Sequence, residues 1–352
     1  MMRFTATYLK TLTRDVFVAQ GVPENEAEIV AEQLVDSNLA GLDSHGVVRI
    51  PLYSRWIQEG TIRPGAPISV IREKGGTAVV DCGYNFGQVG AHRAMEIALA
   101  KAREHQVSCV VTRRCCHVGR LGYFVEMAAK EGCFALATVN SPKRGHRVVP
   151  FGGLAGRLAP NPIAYAAPGH SRSILADMAM STTSQGKVVI YRNRGEPLPD
   201  AWLIDAEGRP TTDPEVLWAN PPGWILPFGG SVGYKSFALL LLAEILSGTL
   251  GGDVITDDIP DGINGVCFLV IDLSAFGPVD QFKEAIDQMV DYMKSAPPAP
   301  GFDEVLAPGE IDARYVVERE RDGIPLDPTT WQQIRVVAES VGLAVRDTPA
   351  PI

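Results

Sequence analysis

The chain has 352 residues, long enough to bury a large core in two or more lobes, and its 46% hydrophobic and 21% charged residues are ordinary for a globular protein. A formal charge of −9 at pH 7 argues against a nucleic-acid or anionic-membrane partner, since either wants a basic face. The opening MMRFTATYLKTLTRD has no secretory apolar core, and the six cysteines make neither a C-x-x-C pair nor a zinc-ligand spacing, so reduced, buried thiols in a metal-free cytoplasmic protein are expected.

The first predicted elements are two helices. One covers 5–19 and stops at Gly21; the next runs from Pro23 toward Gly41, with Ala27, Ile29, Val30, Leu34 and Leu39 at helical spacing. Asp43-Ser44-His45-Gly46-Val47-Val48-Arg49-Ile50-Pro51-Leu52-Tyr53 follows. If a helix begins near His45 and closes at Gly60, then His45, Arg49 and Tyr53 (i, i+4, i+8) share one face. That stripe offers a titratable imidazole, a guanidinium able to hold a carboxylate bidentately, and a phenol that can bond the same ligand. It suits a small acid whose neighbouring carbon changes oxidation state. A surface helix with scattered polar residues has the same spacing, so the rest of the chain must decide.

Strands at 68–71 and 78–81 form a hairpin across Lys74-Gly75-Gly76. A glycine turn (Gly83, Gly87, Gly90), a helix through Glu104, a strand at 107–111, a short helix at 121–131 and a strand at 134–139 then read as βαβ alternation, hence a mixed α/β core. The turn lacks the G-x-G-x-x-G spacing of a dinucleotide fingerprint, which favours a structural role. Further strands are predicted at 163–167, 174–178 and 188–192, an apolar helix at 234–247, a buried strand at 266–272 and an amphipathic helix at 278–294. A Pro-rich linker at 297–300 leads to two C-terminal helices and a loose tail from Asp347. The apolar run 237–246 contains Glu244 and reads as too short to cross a bilayer.

Several polar clusters sit where sheets meet ligands. His117 follows Cys115-Cys116 on a turn, and Asn140-Ser141 and Asp177-Met178-Ala179-Met180-Ser181 close strands. Gly229 to Ser236 is no P-loop, because Tyr234 separates Gly233 from Lys235. A glycine-rich loop leading into a helix with Lys235 in its first turn still makes a candidate anion site, beside the plainer reading as a helix-opening loop. Vicinal Cys115 and Cys116, near Arg113 and Arg114, have a minor reading as redox-active thiols.

In their order and spacing these pieces resemble the malate/L-lactate dehydrogenase family that lacks a Rossmann fold, a group that includes L-sulfolactate dehydrogenase and Δ1-piperideine-2-carboxylate reductase. The landmarks are Asp43-Ser44-His45-Gly46 with Arg49 and Tyr53, Gly60 to Pro64, His117-Val118-Gly119, Asn140-Ser141, Asn161-Pro162, Asp177 to Ser181, Gly233-Tyr234-Lys235 and Pro308-Gly309-Glu310. The likeness runs over about 5–345. Departures surround the second histidine (Cys115, Cys116, Val118) and occur at Ala159-Pro160 and Ser236.

The resemblance implies a non-Rossmann mixed α/β fold, NAD or NADP as cofactor, a small carboxylic acid as substrate and a homodimer. It implies His45 and His117 as acid/base candidates, with Ser44, Arg49 and Tyr53 facing the substrate. Asn140, Ser141, Asp177, Met178, Ala179, Met180, Ser181, Lys235, Ser236, Pro308, Gly309 and Glu310 would line the cofactor. The expected organisation is an N-terminal helical segment (1–65) packing with the C-terminal helices (298–352), around a cofactor-binding core (66–297). The expected reaction is hydride transfer between nicotinamide and the carbon next to a carboxylate. Reduction of a cyclic imine acid, or cofactor binding without turnover, are the alternatives.

Overall fold

The computed structural model describes residues 2–252 and 259–345; the tail expected from Asp347 lies outside them. Strand β1 (Met2–Phe4) leads into α1 (Ala6–Ala19), where the Thr5 side chain accepts the Tyr8 N–H as an N-cap, and then α2 (Glu24–Leu39), with Glu24 and Glu26 in its first turn. Two 3-10 turns, Asp43–His45 and Val47–Arg49, precede α3 (Ile50–Gln58), which has proline in its first turn.

The helix expected from His45 therefore starts at Ile50. Gly46 is extended (φ −87, ψ −153) and breaks it. Asn38 accepts the Val47 N–H at 2.8 Å, and a Cβ at Gly46 would overlap the Asn38 amide, so the close approach requires glycine.

The main sheet takes β2 (Ser69–Lys74), β3 (Thr77–Asp81), β4 (Val107–Arg113), β5 (Cys115–Cys116), β6 (Cys133–Asn140), β7 (Ile163–Ala167) and β8 (Ile174–Met178), with α4 (Gly87–His105) and α5 (Gly122–Lys130) as crossovers. After α6 (Gln185–Arg194), the short strands β9 (Leu203–Ile204), β10 (Pro210–Thr211) and β11 (Trp224–Ile225) make a small second sheet. Then come α7 (Tyr234–Ser247), β12 (Ile263–Asp272), α8 (Val279–Lys294), α9 (Glu310–Asp322), β13 (Ile324–Leu326) and α10 (Pro328–Ser340).

The sheet order is β2-β3-β4-β12-β6-β7-β8, and β5 pairs with the start of β12. β3 and β4 run parallel across α4, whereas β12 inserts antiparallel between β4 and β6. This late strand joins the ends of two loops that the sequence separates widely.

The expected strand at 188–192 is instead part of α6. Its β-branched run suggests a strand, but Ser184 caps the Lys187 N–H and Gly195 closes the helix at φ +66. Val188 is buried with Leu203 and Ile225. One core, including Val80, Met95, Val110, Phe124 and Phe268, lies between the sheet and its crossover helices. A second joins Phe4, Phe17, Leu34 and Tyr53 to Trp331 and Ile334, and β1 pairs antiparallel with β13. The apolar stretch around α7 extends over Tyr234–Gly251, longer than the run read from sequence and sufficient by length and composition to cross a membrane. Its Leu240, Ala243, Glu244 and Ser247 are buried in the protein.

Candidate active site

The loop that carries His45 is tied down from both sides. Arg319 of α9 donates to both Asp43 carboxylate oxygens (2.6 and 3.0 Å) and to the Asn38 carbonyl, while Asn38 Nδ2 donates to Asp43 Oδ1 at 2.6 Å. Within the loop Ser44 Oγ is 3.0 Å from His45 Nδ1, and Arg49 Nε donates to the Ser44 carbonyl at 2.6 Å. The first turn of α6 comes up beside this loop, since a Cβ on Gly186 would meet Ser44 Cβ at 3.9 Å.

His117 arrives on the turn after β5. Gln33 Nε2 donates to the Val118 carbonyl at 2.7 Å, and Asn264 Oδ1 accepts the Val118 N–H at 3.1 Å. The two imidazoles stack with centroids 5.8 Å apart and planes 20° from parallel. Tyr53 Oη lies 2.8 Å from His117 Nδ1 and accepts from Gln88 Nε2 at 2.8 Å.

Tyr53 has 0% exposure, so its hydroxyl meets His117 and Gln88 rather than facing a ligand as the helical stripe suggested. The cause is the late start of α3, which turns Tyr53 into the core with Phe86 and Trp56.

Burial and the nearby Arg49 guanidinium push His45 down to about 4. His117 stands well below its ordinary value, from burial first, then Arg49 and His45. Both residues are half-buried, and with their pKa values lowered both rings are neutral at pH 7. The site thus holds one fixed cation and two unprotonated imidazoles, a field that attracts a carboxylate.

Of the expected cofactor-lining residues, Asn140 and Ser141 are joined to the His117 turn through Asn264. Asn264 Nδ2 donates to the Asn140 carbonyl (2.9 Å) and to Ser141 Oγ (3.1 Å), which links the end of β6 to the His117 turn. The Asn140 amide points inward, to Glu244 Oε1 at 2.8 Å. Asp177 accepts the Gly122 N–H at 2.7 Å, and burial raises its pKa. Beyond it Met178 is exposed, Ala179 half-buried and Met180 fully buried in the core with Val188, while Ser181 Oγ donates to the Thr183 carbonyl.

Lys235 is exposed in the first turn of α7, which has no side-chain cap and no acidic residue; Ser236 Oγ is turned inward onto the Gly233 and Phe228 carbonyls. The Pro308 carbonyl accepts from Leu175 N, Gly309 (φ +92) packs on Leu175, and Glu310 is paired with Arg172 and Lys294. Glu310 is therefore held by internal ion pairs beside β8. Cys115 and Cys116 are buried with pKa values raised, the reverse of what reactive thiolates require.

Gln33, Asn38, Gln88, Asn264 and Arg319 hold the site, and the sequence reading named none of them as functional. Of these, Gln88 alone sits in a sequence signal, the glycine turn that opens α4.

The family model for malate/L-lactate dehydrogenase matches residues 4–335. The malate dehydrogenase of Pyrococcus horikoshii is 36% identical, with 93% of this chain and 92% of that one covered. The L-lactate dehydrogenase of Cupriavidus necator is 34% identical over 98% of this chain and 99% of its own. The solved structure of sulfolactate dehydrogenase from Methanocaldococcus jannaschii superposes with a TM-score of 0.89 at 34% identity, covering 97% and 98% of the two chains. That likeness includes the non-barrel mixed sheet and the helical N- and C-terminal segments.

Proposed function

The chain belongs to the malate/L-lactate dehydrogenase family, and from that footing we propose that it transfers a hydride between NAD or NADP and the carbon next to the carboxylate of a small 2-hydroxy or 2-keto acid. The observation that carries this reading is the stacked His45/His117 pair beside Arg49, a proton-handling group next to a carboxylate grip.

When bound, the nicotinamide supplies or receives the hydride. The residues present fit such a cofactor at the uncapped start of α7, where the exposed Lys235 and the free backbone N–H groups would hold a phosphate. Arg49, steadied through Nε on the Ser44 carbonyl, turns the rest of its fork to the substrate carboxylate and fixes the reacting carbon. Burial is the larger cause of the depressed imidazoles and Arg49 the next; docking the carboxylate offsets the Arg49 part and favours proton uptake by His45 for delivery to the substrate oxygen. In oxidation the same ring removes that proton.

We place the protein in the cytoplasm, on the support of six free thiols. Its partner is a second copy: Leu241, Leu242, Ile245 and Leu250 form an exposed apolar face on and just beyond α7.

A second reading is favoured by the two neutral rings. A cyclic imine acid arrives already protonated and needs no acid from the protein. The deciding experiment titrates NADH and NADPH by fluorescence, then assays L-malate, L-lactate, sulfolactate and L-proline-type acids with each cofactor. Turnover of hydroxy acids supports the first reading and turnover of ring imines alone the second. Cofactor binding without any turnover removes both.

A further inference from the structure

We propose that Gln88 is a positioning residue that, through Tyr53, locks His117 as the Nε2–H tautomer, so that His117 donates a hydrogen bond to the substrate while His45 moves the proton. The substrate half of this statement rests on the dehydrogenase reading; the tautomer does not.

The argument is a count of protons. Tyr53 Oη has one hydrogen and two neighbours, each at 2.8 Å. Gln88 Nε2 donates to it, so the phenol's own hydrogen can go only to His117 Nδ1. A neutral imidazole that accepts at Nδ1 carries its hydrogen at Nε2. Turning the Gln88 amide over would reverse the chain, but it would leave both amide hydrogens without an acceptor. The orientation present leaves Oε1 and one amide hydrogen unmatched, against two amide hydrogens in the flipped form. An unmet carbonyl is the lesser cost in a buried site. Gln88 and Tyr53 both have 0% exposure, so solvent cannot substitute for either bond.

His45 is held differently. Its Nδ1 neighbour is the Ser44 hydroxyl, which rotates to donate or accept and so tolerates every protonation state of the ring. The two histidines thus divide the work. A neutral Nε2–H is too weak an acid to release its proton, yet it polarises a carbonyl oxygen. In reduction the substrate carbon gains a hydride from reduced nicotinamide and its oxygen gains a proton from protonated His45. His45 is left neutral, and His117 ends as it began.

The test is a long-range 1H–15N spectrum of the full chain labelled with 15N-histidine at neutral pH, with His117 assigned by its loss in His117→Asn. The expected spectrum shows Nδ1 unprotonated and Nε2 protonated; the opposite pattern overturns the proposal. Gln88→Met should release the lock and average the two nitrogens, with the His45 signals unchanged as the control for folding. Tyr53→Phe, which keeps the buried ring, should do the same, and a pattern unmoved in a folded variant sinks the role of the chain. In an active enzyme each variant should lower kcat about 10-fold and the double variant no further, because Gln88 acts only through Tyr53. Multiplicative losses would show independent effects and reject the coupling. If no acid is turned over, the dehydrogenase reading fails while the spectra still decide the tautomer.

Discussion

Arg319 on α9 holds Asp43, 276 residues earlier in the chain, through hydrogen bonds of 2.6 and 3.0 Å. The Arg319 side chain is only 9% exposed and Asp43 is 49% exposed, so one partner is desolvated and the other remains wet. Arg319→Met should cost about 1–3 kcal/mol in a urea melt, the lower end being favoured by solvent around Asp43. Because Asp43 adjoins Ser44 and His45, kcat/KM should also fall about 10-fold, with partial recovery in Arg319→Lys. Lost stability with unchanged kcat/KM would confine Arg319 to the scaffold.

Gly46→Ala tests the same loop from within. The added methyl would overlap the Asn38 amide that receives the Val47 N–H, and a fit would require the loop to move. Overpacking of this kind costs about 1–3 kcal/mol and should appear as a lowered Tm together with lost activity. A variant as stable as the parent would mean that the Asn38 contact gives way easily.

The kinetic roles of His45 and Arg49 separate. His45→Ala should lower kcat by roughly 10²-fold or more. Arg49→Ala should chiefly raise KM for the acid. Since Arg49 helps to depress both imidazoles, binding a non-reactive carboxylate near pH 5 should draw in protons. Calorimetry in buffers of different ionisation enthalpy reads that uptake, and Arg49→Met should abolish it.

Stability should carry the sign of the depressed histidines. His45 lies at about 4 against an ordinary 6.5, so between those values the unfolded chain binds the proton and the folded one does not. Stability then falls as pH drops from about 6.5 to about 4 and levels off below, with His117 contributing in the same direction. Urea melts across this window should show a shallower decline for His45→Gln than for the parent.

The apolar face of α7 makes the oligomeric state accessible. Ile245→Glu places a charge among exposed Leu241, Leu242 and Leu250 and should shift a dimer to monomer in light scattering, with secondary structure intact. A parent that is monomeric at every concentration would remove the second copy from this face.

Much of the fold was legible locally. Apolar spacing and punctuating residues located both N-terminal helices, the Gly75-Gly76 hairpin and the α4 and α5 crossovers. The same rules misread 188–192, where capping by Ser184 and burial of Val188 outweigh β-branched content. They also missed β1 and β13, each too short to show a period, which form only because segments more than 300 residues apart pair with each other. Asn264 had no signal of its own. Its role follows from β12 lying between β4 and β6, which sets its amide against both the His117 turn and the Asn140–Ser141 strand end.

The sequence by itself determined the kinds of groups present: two histidines, an arginine and a tyrosine in an order that resembles a dehydrogenase family, on a mixed α/β chain of acidic balance. It could not decide how those groups relate, because one extended glycine at position 46 breaks the expected helix and long-range contacts then set every distance. Only the tertiary structure brings His117 to 5.8 Å from His45, turns Tyr53 inward, and supplies Gln88 behind it. Side-chain identity is local, whereas hydrogen-bond direction and desolvation belong to the packed whole.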